Sequence, residues 1–182
     1  MLGAREGNLV MTKKSSRRRK TMKVQDVMMR TPAFCTPETN LGAAVEILWN
    51  RNCGILPIVD PQQKVVGVVT DRDLCVALGT RNRLPGDIRV SEVASGNVYS
   101  CRPEDDIHTA LETIAKQKVR RLAVVNKTGA LEGILSMDDV VLHAEAGGAG
   151  RRTELSHAEI METLRQVYGP QLPQVISHAI AA

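Results

Sequence analysis

Apolar residues recur with two different periods along the chain, and the change from one period to the other happens twice. Leu41, Ala44, Val45 and Leu48 follow helical spacing, as do Ile107, Ala110, Leu111 and Ile114, so each set marks one face of an amphipathic helix. Asn40 and Asp106 immediately precede these sets and can act as N-caps. Two short β-branched runs follow each helix, 55–59 with 65–69 and 122–125 with 131–135. Pro61-Gln62-Gln63 and Lys127-Thr128-Gly129 form the intervening turns. Each pair of runs predicts neighbouring strands of one small sheet. A second helix opens at Thr70 or Ser136, with Asp73 or Asp139 three residues later, the S/T-x-x-D spacing of a helix start.

These are two copies of one pattern. At a fixed offset of 66, Val24 pairs with Val90, Val27 with Val93, Cys35 with Cys101, Ala44 with Ala110, Gly67 with Gly133 and Asp73 with Asp139, without a gap. A copy this small cannot cover both faces of its own sheet. The two are therefore expected to pack about a pseudo-twofold axis, with a ligand cleft between them. The fold class is α+β, built of α/β repeats. The predicted division is a basic tail at 1–21, a first repeat at 22–80, a second at 81–145, a linker at 146–155 and a C-terminal helical segment at 156–182. In that last segment Ser156 and Glu159 read as a capping box. Ile160, Leu164 and Val167 share one face, and Gly169-Pro170 stops the helix. Such a helix serves either as a dimer or partner contact or as a segment folded back on the module.

Composition sharpens this picture. The chain of 182 residues is 43% hydrophobic and 24% charged but only 2% aromatic, so its core is aliphatic and it lacks the aromatic faces of a base-stacking platform. Its net charge of +4 is unevenly spread. Residues 1–21 carry seven basic side chains against Glu6, a net of +6, which leaves −2 for the rest. The tail predicts disorder, with Met11 or Met22 as alternative starts, and its run at 13–20 offers a non-specific nucleic-acid contact. Cys35, Cys53, Cys75 and Cys101 show no C-x-x-C spacing and no secretory h-region follows the basic residues, which points to a reduced, cytoplasmic setting. No apolar run is long enough to cross a bilayer.

The run Gly54-Ile55-Leu56-Pro57-Ile58-Val59-Asp60, followed by Val65-Val66-Gly67-Val68-Val69-Thr70-Asp71-Arg72-Asp73-Leu74, resembles the cystathionine-β-synthase (CBS) domain pattern, and the duplicate at 121–140 strengthens the likeness. The resemblance covers about residues 22–145. It implies tandem β-α-β-β-α repeats paired as a Bateman module, often joined into homodimers. It also implies binding of AMP, ADP, ATP or S-adenosylmethionine as a sensor for an effector protein, with no required cofactor. Ala123 departs from the motif proline and Ala94 from the methionine at Met28, so the entry to the second strand should be shaped differently.

The resemblance assigns candidate ligand contacts. Asp73 and Asp139 offer two acceptor oxygens to ribose hydroxyls, a role compatible with completing the caps begun by Thr70 and Ser136. Arg120 and Arg121, with Arg72 and Lys64 as helpers, supply positive charge for a phosphate. The first-copy counterparts of the arginine pair are Gly54 and Ile55, so the two sites should differ. Ala33, Cys35, Tyr99 and Cys101 occupy the strand before the first helix of each copy. Ile55, Leu56 and Leu122 are candidates for an apolar adenine wall, and each is equally a core residue. The cysteine pair reads as buried packing rather than redox chemistry. An enzyme would need a nucleophile with its base, paired acids or a metal cluster, and His108, His143, His157 and His178 make no ligand spacing with the cysteines. The reading is therefore non-catalytic. A ligand-free interaction module is the alternative.

Overall fold

The computed structural model describes residues 21–94, 96–144 and 155–170. The basic run at 13–20 and the glycine-rich linker at 147–150 lie outside them. In chain order the elements are α1 (Val24–Val27), β1 (Met29–Arg30), α2 (Leu41–Asn50), β2 (Ile55–Val59), β3 (Val65–Thr70) and α3 (Asp71–Thr80). After short 3-10 turns at Pro85–Asp87 and Val90–Glu92 come β4 (Ser100–Cys101), α4 (Ile107–Gln117), β5 (Arg121–Val125), β6 (Leu131–Ser136), α5 (Met137–Leu142) and α6 (His157–Tyr168). No helix among the described residues is long and apolar enough to cross a membrane.

Both predicted hairpins form in the same register. Ile55 faces Thr70 across β2 and β3, and Arg121 faces Ser136 across β5 and β6. Gln63 and Gly129, equivalent by the offset, take left-handed φ values of 65° and 86° at the turns. Asn40 and Asp106 cap α2 and α4, accepting from Ala43 N–H and His108 N–H.

The copies are interlocked rather than merely adjacent. Val24 N–H donates to Asp105 O at 3.0 Å and Ile107 N–H to Met22 O at 3.1 Å, while Val24, Val27 and Met28 are buried beside Ile107, Leu122 and Leu135 of the second copy. Reciprocally, Leu41 N–H donates to Ile88 O at 2.9 Å and Val90 N–H to Thr39 O at 2.8 Å, which buries Ile88 and Val90 against Leu41, Leu56 and Leu74 of the first. An Arg89–Glu38 ion pair at 2.7 Å adds a surface tie. Each core thus contains the entry segment of the other repeat, so the boundary at 80/81 follows the sequence repeat and not the packing.

The exchange also extends one sheet. β1 pairs antiparallel with β6, giving the order β1-β6-β5-β4, whereas β2 and β3 stand as a two-stranded sheet joined by a Cys35–Ile58 bridge. The β1–β6 approach requires Gly133, because a Cβ there would lie 2.7 Å from Met29 O and 2.9 Å from Met28 Sδ.

α6 folds back on the second copy. Ile160 and Val167 are buried in its core and Leu164 packs against it. Ser156 Oγ accepts from Glu159 N–H at 3.3 Å, but the Glu159 carboxylate turns to His108 Nδ1, 2.5 Å away, so the predicted capping box is only half made. The His108 imidazole on α4 takes the place of the backbone donor. The predicted face of α4 is buried throughout. On α2, Leu41, Ala44 and Leu48 are buried but Val45, the counterpart of Leu111, is 41% exposed.

Candidate functional site

Strand alternation decides which side chains reach the space between the copies. Ile55 faces it while Leu56 turns into the first core; Arg121 and Ala123 face it while Leu122 turns into the second. β3 contributes Val68 and Thr70, two residues apart on one face. The approach to β4 contributes Asn97 and Tyr99, and the turn from α4 to β5 contributes Lys118, Val119 and Arg120. Together they line a cavity of about 380 Å³, within the range of small-ligand sites.

The cavity has an apolar side and a charged side. Ile55, Val68, Ala123 and the half-buried Tyr99 form the first; Arg72, Lys118, Arg120 and Arg121 stand around the second, against the carboxylate of Asp71. Arg121 spans the two copies. Its Nη2 lies 3.5 Å from Asp138 Oδ2, and a Cβ on Gly54 would come within 3.9 Å of its Nη1 and 3.2 Å of Asp71 Oδ2. The absence of a side chain at Gly54 lets a second-copy guanidinium lie against the first copy.

Thr70, on the cavity wall, is held by a reciprocal cap. Its hydroxyl donates to Asp73 Oδ2 at 2.7 Å and accepts from Asp73 N–H at 3.3 Å, and its own N–H donates to the same Oδ2 at 2.9 Å. Ser136 and Asp139 repeat the arrangement at 2.5, 3.1 and 3.1 Å. Each aspartate spends one oxygen on its cap, and Oδ1 receives no hydrogen bond from the described residues. Thr70 is partly exposed and lines the cleft, whereas Ser136 is buried. The copies also differ in charge beside the cap, with Arg72 in the first where the second has Asp138. No group of three His, Cys, Asp or Glu side chains among the described residues converges as metal ligands.

The family model of the CBS domain matches residues 24–80 and 90–145. The chain belongs to the CBS domain family. The CBS domain-containing protein YhcV of Bacillus subtilis (strain 168) is 29% identical over 140 residues, covering 75% of this chain and 97% of that protein. The inosine-5'-monophosphate dehydrogenase of Aquifex aeolicus (strain VF5) is also 29% identical, over 76% of this chain but only 29% of the enzyme. Among solved structures, CBSX2 in complex with AMP is 27% identical with a TM-score of 0.58, covering 66% of this chain and 93% of that one.

Of the residues singled out in the sequence, this CBS pair brings Ile55, Thr70, Arg72, Tyr99, Arg120 and Arg121 into one cavity. It places Leu56 and Leu122 fully in the cores, whereas Val68 and Ala123 line the cavity. Cys35 and Cys101 are also core residues. Burial pushes the Cys35 thiol up to about 11 and, with the nearby Asp105 charge adding, the Cys101 thiol up to about 12. Ala33 opens onto a separate surface hollow with Phe34 and Arg51. Lys64 bridges to Ala130 at the hairpin turns, away from the cleft. Val68 and Ala123 share strand faces with Thr70 and Arg121, two residues away, but nothing in the sequence marks those faces or Asn97 as the ones that meet the cleft.

Proposed function

We propose that this CBS pair is a non-catalytic regulatory module that binds an adenine ribonucleotide through the cleft between its repeats and reports occupancy to an effector protein. The observation that carries this reading is the single cavity that joins first-copy Thr70 to second-copy Tyr99, Arg120 and Arg121. Ile55, Val68 and Ala123 offer the adenine an apolar slot, Asp73 Oδ1 offers the ribose an acceptor beside Thr70, and the arginines take the phosphate. Four cations against one carboxylate favour AMP, ADP or ATP over S-adenosylmethionine, whose sulfonium adds positive charge. The AMP complex of the similar CBSX2 supports the same ligand class. A ligand held by both copies favours the arrangement in which they are close, and that differential affinity is what a partner can sense. An intracellular setting follows from a nucleotide ligand. A homodimer belongs to this same proposal.

Calorimetric titration of AMP and of adenosine tests the phosphate assignment. Arg121→Met should weaken AMP by about 10- to 140-fold, the value of one lost charge-assisted contact, and leave adenosine unchanged. Equal losses for both ligands would remove the phosphate from Arg121.

A further inference from the structure

A groove of about 730 Å³ between α2 and α3 of the first copy is larger than the cleft. Val45, Leu48 and Trp49 form one wall and Leu74, Cys75 and Leu78 the other. Trp49 is 84% exposed there. By the offset of 66, Leu48 and Leu74 correspond to Ile114 and Val140, which in the second copy are buried together with Ile160 and Val167 of α6. The same groove therefore exists twice, and in the second copy a helix of this chain fills it.

The chain leaves α6 at the open groove. Tyr168 and Leu164 share a small hollow with Arg120 and Arg121, and those two arginines also line the end of the first-copy groove. Beyond Pro170, residues 171–182 contain no Asp, Glu, Lys or Arg, and Leu172, Val175, Ile176, Ala179 and Ile180 recur at i, i+3, i+4, i+7 and i+8. That spacing is one apolar helical stripe. With Pro173 at the first helical position, the ten residues 173–182 at helical rise span about 15 Å, the same as the ten residues of α2. We infer that residues 171–182 seat in the groove between α2 and α3 of their own chain, as α6 seats against α4 and α5. The occupant's stripe is apolar, as Val45, Leu48, Leu74 and Leu78 of the groove are, and its tether starts at the charged edge of the groove, at Arg120 and Arg121.

Gly54, Asp71, Arg120 and Arg121 line both groove and cleft, so the seated segment abuts the wall of the nucleotide cavity. The docking itself does not depend on any ligand reading.

Two reporters lie in the groove. Trp49 is the sole tryptophan of the chain, and Cys53 and Cys75 are its two cysteines that are not fully buried. In the full chain, Ile176→Asp should shift Trp49 emission to the red. It should also speed reaction of Cys53 and Cys75 with a thiol reagent by about 10- to 100-fold, the order expected for withdrawing one buried Ile side chain. Ser177→Asp, off the stripe, should change neither. Circular dichroism of both variants checks that the fold is kept. Unchanged emission and thiol rates in Ile176→Asp would overturn the proposal. So would protection that rises with protein concentration alongside dimer formation in sedimentation, which would give the groove to a second copy.

Discussion

Replacing Asp73 and Asp139 in turn by Asn separates a ligand contact from a helix cap, because the two residues make the same cap and only Asp73 caps a residue, Thr70, that lines the cavity. In each, Oδ2 accepts from the N–H and hydroxyl of the preceding Thr or Ser. Asn keeps one acceptor for that backbone N–H, so each substitution should lower stability by less than about 1 kcal/mol. The carboxylate charge is lost in both. If Asp73 Oδ1 holds ribose hydroxyls, Asp73→Asn weakens a charge-assisted contact of about 1.5–3 kcal/mol, and AMP affinity falls by about 10- to 140-fold. Asp139→Asn should leave affinity within about threefold, because Ser136 is buried and Asp138 beside it repels phosphate. Titration calorimetry gives the affinities and urea midpoints the stabilities. Equal affinity losses in the two variants, or a stability loss at Asp73 with affinity intact, would make Asp73 a cap and nothing more.

Gly133→Ala should destabilise by about 1–3 kcal/mol, since its Cβ would meet Met29 O at 2.7 Å, whereas Gly79→Ala in α3, with nothing within 4 Å, should stabilise by about 0.5–1 kcal/mol. Opposite shifts in urea midpoint at constant slope are the expected record; a neutral Gly133→Ala would mean that β1 does not lie on β6 this closely. The buried thiols predict an alkaline loss of stability. Cys35 ionises near 9.0 when unfolded and about 11 when folded, so its contribution is complete below pH 9 and is lost as the pH rises to 11. The slope is at most about 1.4 kcal/mol per pH unit per thiol, and Cys35→Ala should flatten the curve over that window. An unchanged slope would place Cys35 in water.

The hairpins, the capped helices and the duplication were legible because each is local: a turn residue, an S/T-x-x-D spacing or a constant offset is written within a few residues or repeated in register. Leu56 and Leu122 were not separable from Ile55 and Ala123 in the same way. Both strands are covered on two faces, so their apolar runs hardly alternate and the sequence does not say which face meets the cleft. The exchange of Val24 and Val90 between cores was invisible for a different reason. An offset shows that two segments are equivalent and is silent on which copy each packs against. The docking of α6 on the second copy, with Glu159 turned to His108, likewise depends on residues 51 positions apart.

A crystal structure of the full chain grown with AMP tests the central claim most directly. The account predicts AMP with its ribose beside Thr70 and Asp73, its base between Ile55, Val68 and Ala123, and its phosphate on Arg120 and Arg121. AMP found beside Ser136 and Asp139 or in the groove between α2 and α3, or a cleft without nucleotide in crystals saturated with it, would contradict the account.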